Sequence, residues 1–383
     1  MSVDVSFAER MGHITQLTNA FTLQGMSLES ARSNARDLER EVYDQAKSLS
    51  EYERKLRQAH HTMLLPTTSA PQEQEQPPTM SLDMDGPTFG KYRYATFHAE
   101  GRFSTIYIAQ PTDENASKKV VALKLTNSSM MSPPHNSERE GRLLIKARHE
   151  HVVPLLDMWH DKSGVCVLVF PVLRYDVESL LRSGRLDRRL ARMVFDGLFR
   201  ALKHIHMLDM IHRDVKPANI MLASMDGPAY LIDFGIAWAK DDKDCEPEDA
   251  KITDVGTTCY RPPELLFGDC RYNASLDMWA AGCVVAEMAR NGGPPLFDAG
   301  PVGSELGLIR SIFTTLGTPN NTTWPSARLL PDWGKMKFKE YPATAWNEIL
   351  PGVEARWVDF VSKTVCYEPL YRLTASDALE FFS

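Results

Sequence analysis

Two polar runs a fixed distance apart constrain this chain more than anything else in it. They are His212-Arg213-Asp214-Val215-Lys216-Pro217-Ala218-Asn219 and, shortly after, Asp233-Phe234-Gly235. Together they supply two carboxylates, a lysine and an amide, the set that phosphoryl transfer from ATP requires. One Asp accepts the proton of the attacking hydroxyl, while an Asn and a second Asp hold the Mg²⁺ ions that neutralise charge on the transferred group. Asp214 suits the first role; Asn219 and Asp233 suit the other two. Lys216, two residues past the candidate base, can balance charge on the γ-phosphate at the point of attack. His-Arg-Asp alone would be unremarkable in a polar turn, and the Asn and Asp-Phe-Gly that follow it give it meaning. All of these groups must converge on one cleft near residues 214 to 233.

Upstream, Val120-Val121-Ala122-Leu123-Lys124 is a short apolar strand ending on a lysine that would grip the α- and β-phosphates. Its expected partner is a Glu on the following helix, and Glu140 in Ser137-Glu138-Arg139-Glu140-Gly141-Arg142-Leu143-Leu144 has the matching position. Glu138 is the rival, but two helical positions turn it away from Glu140.

These motifs resemble the eukaryotic protein kinase family over residues 91–383, which implies an α+β, two-lobed fold: a β-rich small lobe from about 91 to 172, then a helical lobe. Within the family, Tyr260-Arg261-Pro262-Pro263-Glu264-Leu265-Leu266, Ser275-Leu276-Asp277-Met278-Trp279-Ala280-Ala281-Gly282-Cys283 and Leu316-Gly317-Thr318-Pro319 with Trp324-Pro325 resemble the cyclin-dependent kinases. The resemblance implies that Glu264 pairs with Arg372 and pins the activation segment. It makes Phe170 the guard behind the adenine, Pro171-Val172-Leu173 the hinge and Asp176 the ribose contact. Ala122, Ile106 and Met221 become apolar walls, in keeping with nucleotide sites that are mostly apolar with a few polar anchors. A lysine at 216 and a Thr at 257, bonded to the catalytic Asp and Lys, imply a Ser/Thr acceptor.

Departures from the family pattern carry expectations of their own. The phosphate-covering loop, ordinarily Gly-x-Gly-x-x-Gly, reads Ala99-Glu100-Gly101-Arg102-Phe103-Ser104. With one glycine the lid is stiffer, so weaker ATP binding at Ala99, Gly101 and Ser104 is expected while the chemistry is kept; the alternative is a pseudokinase or scaffold. The activation-loop Thr that an arginine cluster binds once phosphorylated falls on Ile252, with Thr253 one residue off. Arg139 and Arg213 of that cluster are present, and the third place is Trp238. The loop also carries Asp241, Asp242, Asp244, Glu246, Glu248 and Asp249, one of which could satisfy Arg213 with no modification. The helix with Glu140 lacks a cyclin-docking sequence, so a cyclin partner is not expected. The combination resembles the monomeric CDK-activating kinases of fungi, implying other cyclin-dependent kinases as protein substrates.

Composition excludes other classes. A net charge of −7 and a pI near 5.9 argue against nucleic acid as the main ligand. Six cysteines without metal-type spacing, and a start with no signal segment, suggest a reducing compartment, nuclear or cytosolic. No apolar run approaches the ~18 residues of a membrane span.

Residues 1–61 read as a separate helical module. Phe7, Met11, Ile14, Leu17 and Phe21 recur at helical spacing until Gly25. Ser27 can cap a second helix with Leu28, Ala31, Ala35, Leu38, Val42 and Ala46 on one stripe. Ser50 and Glu53 form a capping box for a third, through Tyr52 and Leu56. Gly25 to Ala31, with Glu39, Tyr43, Ala46 and Glu51-Tyr52, resembles the KIX-like module of the fungal Mediator tail, which implies a transcription-factor helix as ligand; a generic helical bundle fits the same residues. Residues 62–90, rich in Pro, Gln, Ser and Thr, read as a disordered tether spanning roughly 30 Å.

Overall fold

The computed structural model describes residues 28–46 and 82–382, except 102, 114–119, 128–130 and 301–302, together with residues 10, 13, 14, 17, 18, 21, 52, 55 and 56. It divides into residues 1–75 with 300–304, and residues 76–299 with 305–383.

In the first unit, helix α1 (Leu28–Gln45) buries Ala31, Ala35 and Val42, and Ala46 just past its end is buried on the same stripe. This i, i+4, i+11, i+15 spacing puts all four on one apolar face, and Ala35, Val42 and Ala46 cluster with Leu17, Tyr52 and Leu56 from the flanking helical residues. Inside lies a polar triad that the apolar pattern does not signal. Glu39, 1% exposed, accepts hydrogen bonds from Arg10 Nε (2.7 Å) and Tyr52 Oη (2.6 Å). Phe7, Met11, Gly25, Ser27, Ser50 and Glu53 lie outside the described residues.

The second unit begins earlier than residue 91. Asp83 N donates to Thr96 Oγ1 (2.6 Å), Ala95 N donates to Pro87 O (3.1 Å), and Phe89 and Tyr92 exchange main-chain bonds. A side chain on Gly86 would meet Ala95 O at 2.5 Å, so the approach needs glycine. Residues 82–90, which composition assigns to the tether, are thus hydrogen-bonded to the first strand. Low hydrophobicity misleads there because hydrogen bonds to β1, together with one ring, Phe89, packed on the small-lobe core, hold them.

The small lobe is a five-stranded antiparallel sheet of order β1-β2-β3-β5-β4, made of β1 (Tyr92–Glu100), β2 (Ser104–Pro111), β3 (Val121–Asn127), β4 (Asp157–His160) and β5 (Val165–Pro171). Helix α2 (Ser137–Lys146) lies between β3 and β4, capped by Asn136, whose side chain accepts from Arg139 N. A Cβ on Gly141 would meet Met158 Sδ at 2.3 Å, so a glycine lets α2 pack close to β4. Alternation along β3 buries Val121 and Leu123 and leaves Ala122 and Lys124 half-buried on the opposite face.

The large lobe follows: β6 (Tyr175–Asp176), α3 (Val177–Arg182), α4 (Arg188–Met207), β7 (Met210–Ile211), β8 (Ile220–Leu222), β9 (Ala229–Leu231), β10 (Trp238–Ala239), α5 (Pro263–Leu266), α6 (Ser275–Ala289), α7 (Glu305–Leu316), α8 (Trp346–Ile349), α9 (Ala355–Thr364) and α10 (Ala375–Phe381). Helix α6 is apolar on every side and buried almost throughout, the mark of a helix at the centre of a core. Arg372 and Glu264, 0% and 1% exposed in their side chains, form a bidentate pair at 2.5 and 2.7 Å. Among the described residues no helix is long and apolar enough to cross a membrane.

Candidate active site

Lys124 on β3 and Glu140 on α2 meet across the sheet face: Lys124 Nζ lies 2.8 and 2.9 Å from the two oxygens of Glu140. Glu138 points the other way, half-exposed and 3.3 Å from His160. Lys124 also reaches Asp233 Oδ1 at 2.9 Å. Burial alone would lower the lysine's pKa, but Asp233 and Glu140 outweigh it and raise it, so it stays charged. Asp233 is held well below the usual carboxylate range, chiefly by Lys124. A Cβ on Gly235 would be a tight fit, 3.2 Å from Asp233 Oδ1 and 3.4 Å from Glu140 Oε2. Its carbonyl accepts from Asn136 N (3.1 Å), which ties the start of α2 to the Asp-Phe-Gly turn.

Asp214 is surrounded by donors. Oδ1 accepts from Thr257 N (2.9 Å) and Thr257 Oγ1 (2.8 Å), while Oδ2 lies 3.0 Å from Asn219 Nδ2 and 2.8 Å from Lys216 Nζ. Lys216 Nζ donates to Thr257 Oγ1 at 2.9 Å. Gly256, at φ +75°, precedes this contact. A Cβ there would stand 2.5 Å from Arg213 O, so only glycine lets the two loops close.

The catalytic loop hangs from one residue to which the motifs assign no role. Asp277 in α6, 0% exposed, accepts from His212 N (2.8 Å) and Arg213 N (2.9 Å) and pairs with His206 Nε2 (2.9 Å). Burial would raise its pKa, yet the bonds from His206 and His212 hold it below the usual value, as a charged anchor. The available signal was an acid in the first turn of a largely apolar helix.

The residues expected to line the nucleotide cleft are brought together by strand register. Ile106 pairs with Lys124, Ala122 with Phe170, and Asp176 with Met221. All six are half-buried, as residues lining a cleft should be. Val172 and Leu173 have no main-chain hydrogen-bond partner among the described residues, leaving donors and acceptors for an adenine edge. Asp176 Oδ1 caps α3 by accepting from Ser179 N (2.7 Å). In the lid, Gly101 N donates to Ser104 O (2.7 Å), Ala99 is exposed, and Phe103 packs on His135 at 4.6 Å between ring centroids. Arg102 lies outside the described residues.

Asn219 and Asp233 each leave an oxygen atom open to a divalent ion. Both side-chain hydrogen bonds of Asn219 use Nδ2, which leaves its carbonyl oxygen, and Asp233 adds a half-exposed carboxylate. Among the described residues no group of three His, Cys, Asp or Glu stands ready for a metal. Two oxygen donors suit a hard ion such as Mg²⁺ that draws its remaining ligands from water and phosphate.

Beside the cleft, Tyr260 Oη donates to Glu287 Oε1 at 2.9 Å. Glu287 is 5% exposed. Burial raises its pKa to about 7, against lowering by Tyr260 and Arg290, with Glu178 adding to the rise. A carboxyl with a raised pKa stabilises the fold below its unfolded value and loses that contribution as pH climbs through its folded value. Stability should therefore fall between pH 4.5 and about 7 by on the order of 3 kcal/mol from this group. Glu287→Gln should flatten that slope in thermal melting curves taken across the window; an unaltered slope would remove Glu287 as its source.

The protein kinase domain family matches residues 99–381. A curated relative, serine/threonine-protein kinase csk1 of Schizosaccharomyces pombe, is 34% identical over 287 residues, covering 74% of this chain and 90% of that protein.

Proposed function

The chain belongs to the protein kinase domain family, and on that premise we propose that it transfers the γ-phosphoryl group of ATP to Ser or Thr hydroxyls of proteins, with Mg²⁺ as the metal. The observation that carries this reading is the Lys216–Thr257–Asp214 triangle, with sides of 2.9 and 2.8 Å to Thr257 and 2.8 Å between lysine and aspartate. Bound Mg-ATP supplies the electrophilic phosphorus and its counter-charge. Asp214 accepts the hydroxyl proton, with Lys216 and Thr257 fixing its orientation. Lys124, itself oriented by Glu140, positions the phosphates. Asn219 and Asp233 would hold the metal.

The finer reading is a cyclin-dependent-kinase-like enzyme, active without a cyclin, whose acceptors are the activation loops of other cyclin-dependent kinases, in nucleus or cytosol. It is supported by Tyr260-Arg261-Pro262-Pro263-Glu264, by the Leu316-Gly317-Thr318-Pro319 insert and by the absence of a cyclin-docking sequence on α2. In the same reading the helical unit, as a KIX-like module, binds a transcription-factor helix.

Incubation with Mg-ATP and either an intact unphosphorylated cyclin-dependent kinase or a generic Ser/Thr peptide separates the levels. Phosphate on the activation-loop Thr of the intact kinase is expected. Transfer to the generic peptide alone would sink the finer reading, and transfer to neither would sink the broader one.

A further inference from the structure

The loop expected to cover the phosphates keeps one of the usual glycines, but its tip has a seat. Gly101 N donates to Ser104 O (2.7 Å), which closes β1 and β2 with a two-residue turn and puts Phe103 at the tip. The glycine that is kept stands in a tight place, since a Cβ on it would lie 3.0 Å from Ser104 Oγ. Ala99 pairs with Ile106, and Ile106 in turn with Lys124, so the turn springs from the strand beside the lysine expected to meet the phosphates.

The seat is the start of α2. The Phe103 ring lies 4.6 Å from the His135 imidazole, centroid to centroid and tilted by 55°, and both residues are half-buried. His135 N donates to Ser132 O (2.9 Å), and the next residue, Asn136, is anchored twice. Its side chain caps α2 by accepting from Arg139 N (2.9 Å), while its N–H donates to Gly235 O (3.1 Å). Gly235 lies two residues past Asp233, whose carboxylate is 2.9 Å from Lys124 Nζ. One run of contacts therefore joins the lid tip, the start of the helix that carries Glu140 and the Asp-Phe-Gly turn. It ends where Lys124 and Asp233 stand, at the phosphate end of the cleft.

We propose that Phe103 and His135 are positioning residues for the nucleotide, their ring contact holding the lid over the phosphate end of the cleft in place of the closing movement of a glycine-rich loop. A loop that is ordered only when the ligand arrives loses affinity to that ordering, and a tip already in place loses less. The seat thus offsets the weaker ATP binding expected from the missing glycines. A tilted ring pair of this kind is worth about two- to tenfold in an equilibrium constant. None of the bonds made by Asp214 runs to either residue, so the pair acts on nucleotide affinity and not on the proton transfer.

This inference rests on the kinase reading, and its test therefore measures nucleotide binding apart from transfer. In titrations of the full chain with Mg-ADP, Phe103→Ala and His135→Ala should each weaken binding about two- to tenfold. KM for Mg-ATP should rise by a similar factor with kcat unchanged, the pattern of a lost binding contact. The double variant should be no weaker than the worse single one, because both remove the same contact. Phe103→Tyr keeps a ring and should bind as wild type does. Phe103→Leu, which keeps bulk without a ring, should bind like Phe103→Ala and serves in its place if the alanine variant does not fold. Melting curves without nucleotide should match wild type; a merely structural role would lower them and leave affinity alone. The proposal is overturned if the single variants bind Mg-ADP as tightly as wild type or more tightly, if their losses multiply in the double variant, or if Phe103→Tyr is as weak as Phe103→Ala. A wild type that binds Mg-ADP but transfers phosphate to no acceptor would overturn the kinase reading alone, and the titrations would still decide the lid.

Discussion

Asp214→Asn should transfer phosphate about 10²–10⁴-fold more slowly than wild type while folding and binding nucleotide as before, because a positioned general base contributes about that much. The substitution keeps the shape of the side chain and loses the site that takes the proton. It also places an amide where Lys216 Nζ now sits 2.8 Å from a carboxylate oxygen, so one charge-assisted contact is lost. Lys124 and Asp233, two of the residues expected to meet the nucleotide, bond to each other and not to Asp214, and Asn219 keeps its bond to the Asp214 main-chain oxygen (2.8 Å). Initial rates with saturating Mg-ATP, beside a separate nucleotide titration, check the split between chemistry and binding. A rate within about threefold of wild type would mean that Asp214 is not the base.

The second large effect is on stability. Arg372→Met should destabilise the second unit by about 3–5 kcal/mol, because it strands the Glu264 carboxylate in a site with 1% side-chain exposure. The guanidinium does more than pair. It donates to Cys366 O (3.0 Å), Ser275 O (3.1 Å) and Tyr367 O (3.2 Å), and lies 5.0 Å from the Trp279 ring centroid. One side chain therefore joins α5, the start of α6 and the turn before α10. Pairing the change with Glu264→Leu removes the stranded charge and should return part of the loss. Chemical denaturation of the three proteins tests this; a single variant that costs less than about 1 kcal/mol, in the range of an exposed pair, would refute it.

How far the sequence could be read depended on the range of the interaction. The Asp214, Lys216 and Asn219 cluster was legible because those residues share one short loop, so their spacing already limits where they can go. The stripe of α1 was legible because helical geometry repeats locally. Lys124 and Glu140 were legible only as a pattern: their 2.8 Å contact depends on how β3 packs against α2. Asp277 went unassigned because its partners, His212 and Arg213, lie far away along the chain and bind it through main-chain N–H groups, which are the same in every residue but proline. Residues 82–90 were misread for a similar reason, since their partners are mainly backbone atoms of β1, with the Thr96 hydroxyl.

Six acids stand between Trp238 and Ala250, and composition treats them alike. Their identities and the local periodicities around them were enough to say which chemistry this chain can perform, because reactivity belongs to side-chain types at short, covalently limited spacings. That Glu246 faces Arg213, that Asp242 and Asp244 face Arg142 on α2, and that Lys251 rather than a third arginine lies beside Trp238 came only from the folded chain. Those pairings are set by where the backbone travels, and that path follows from the burial of a whole core, to which no single residue contributes more than a small part.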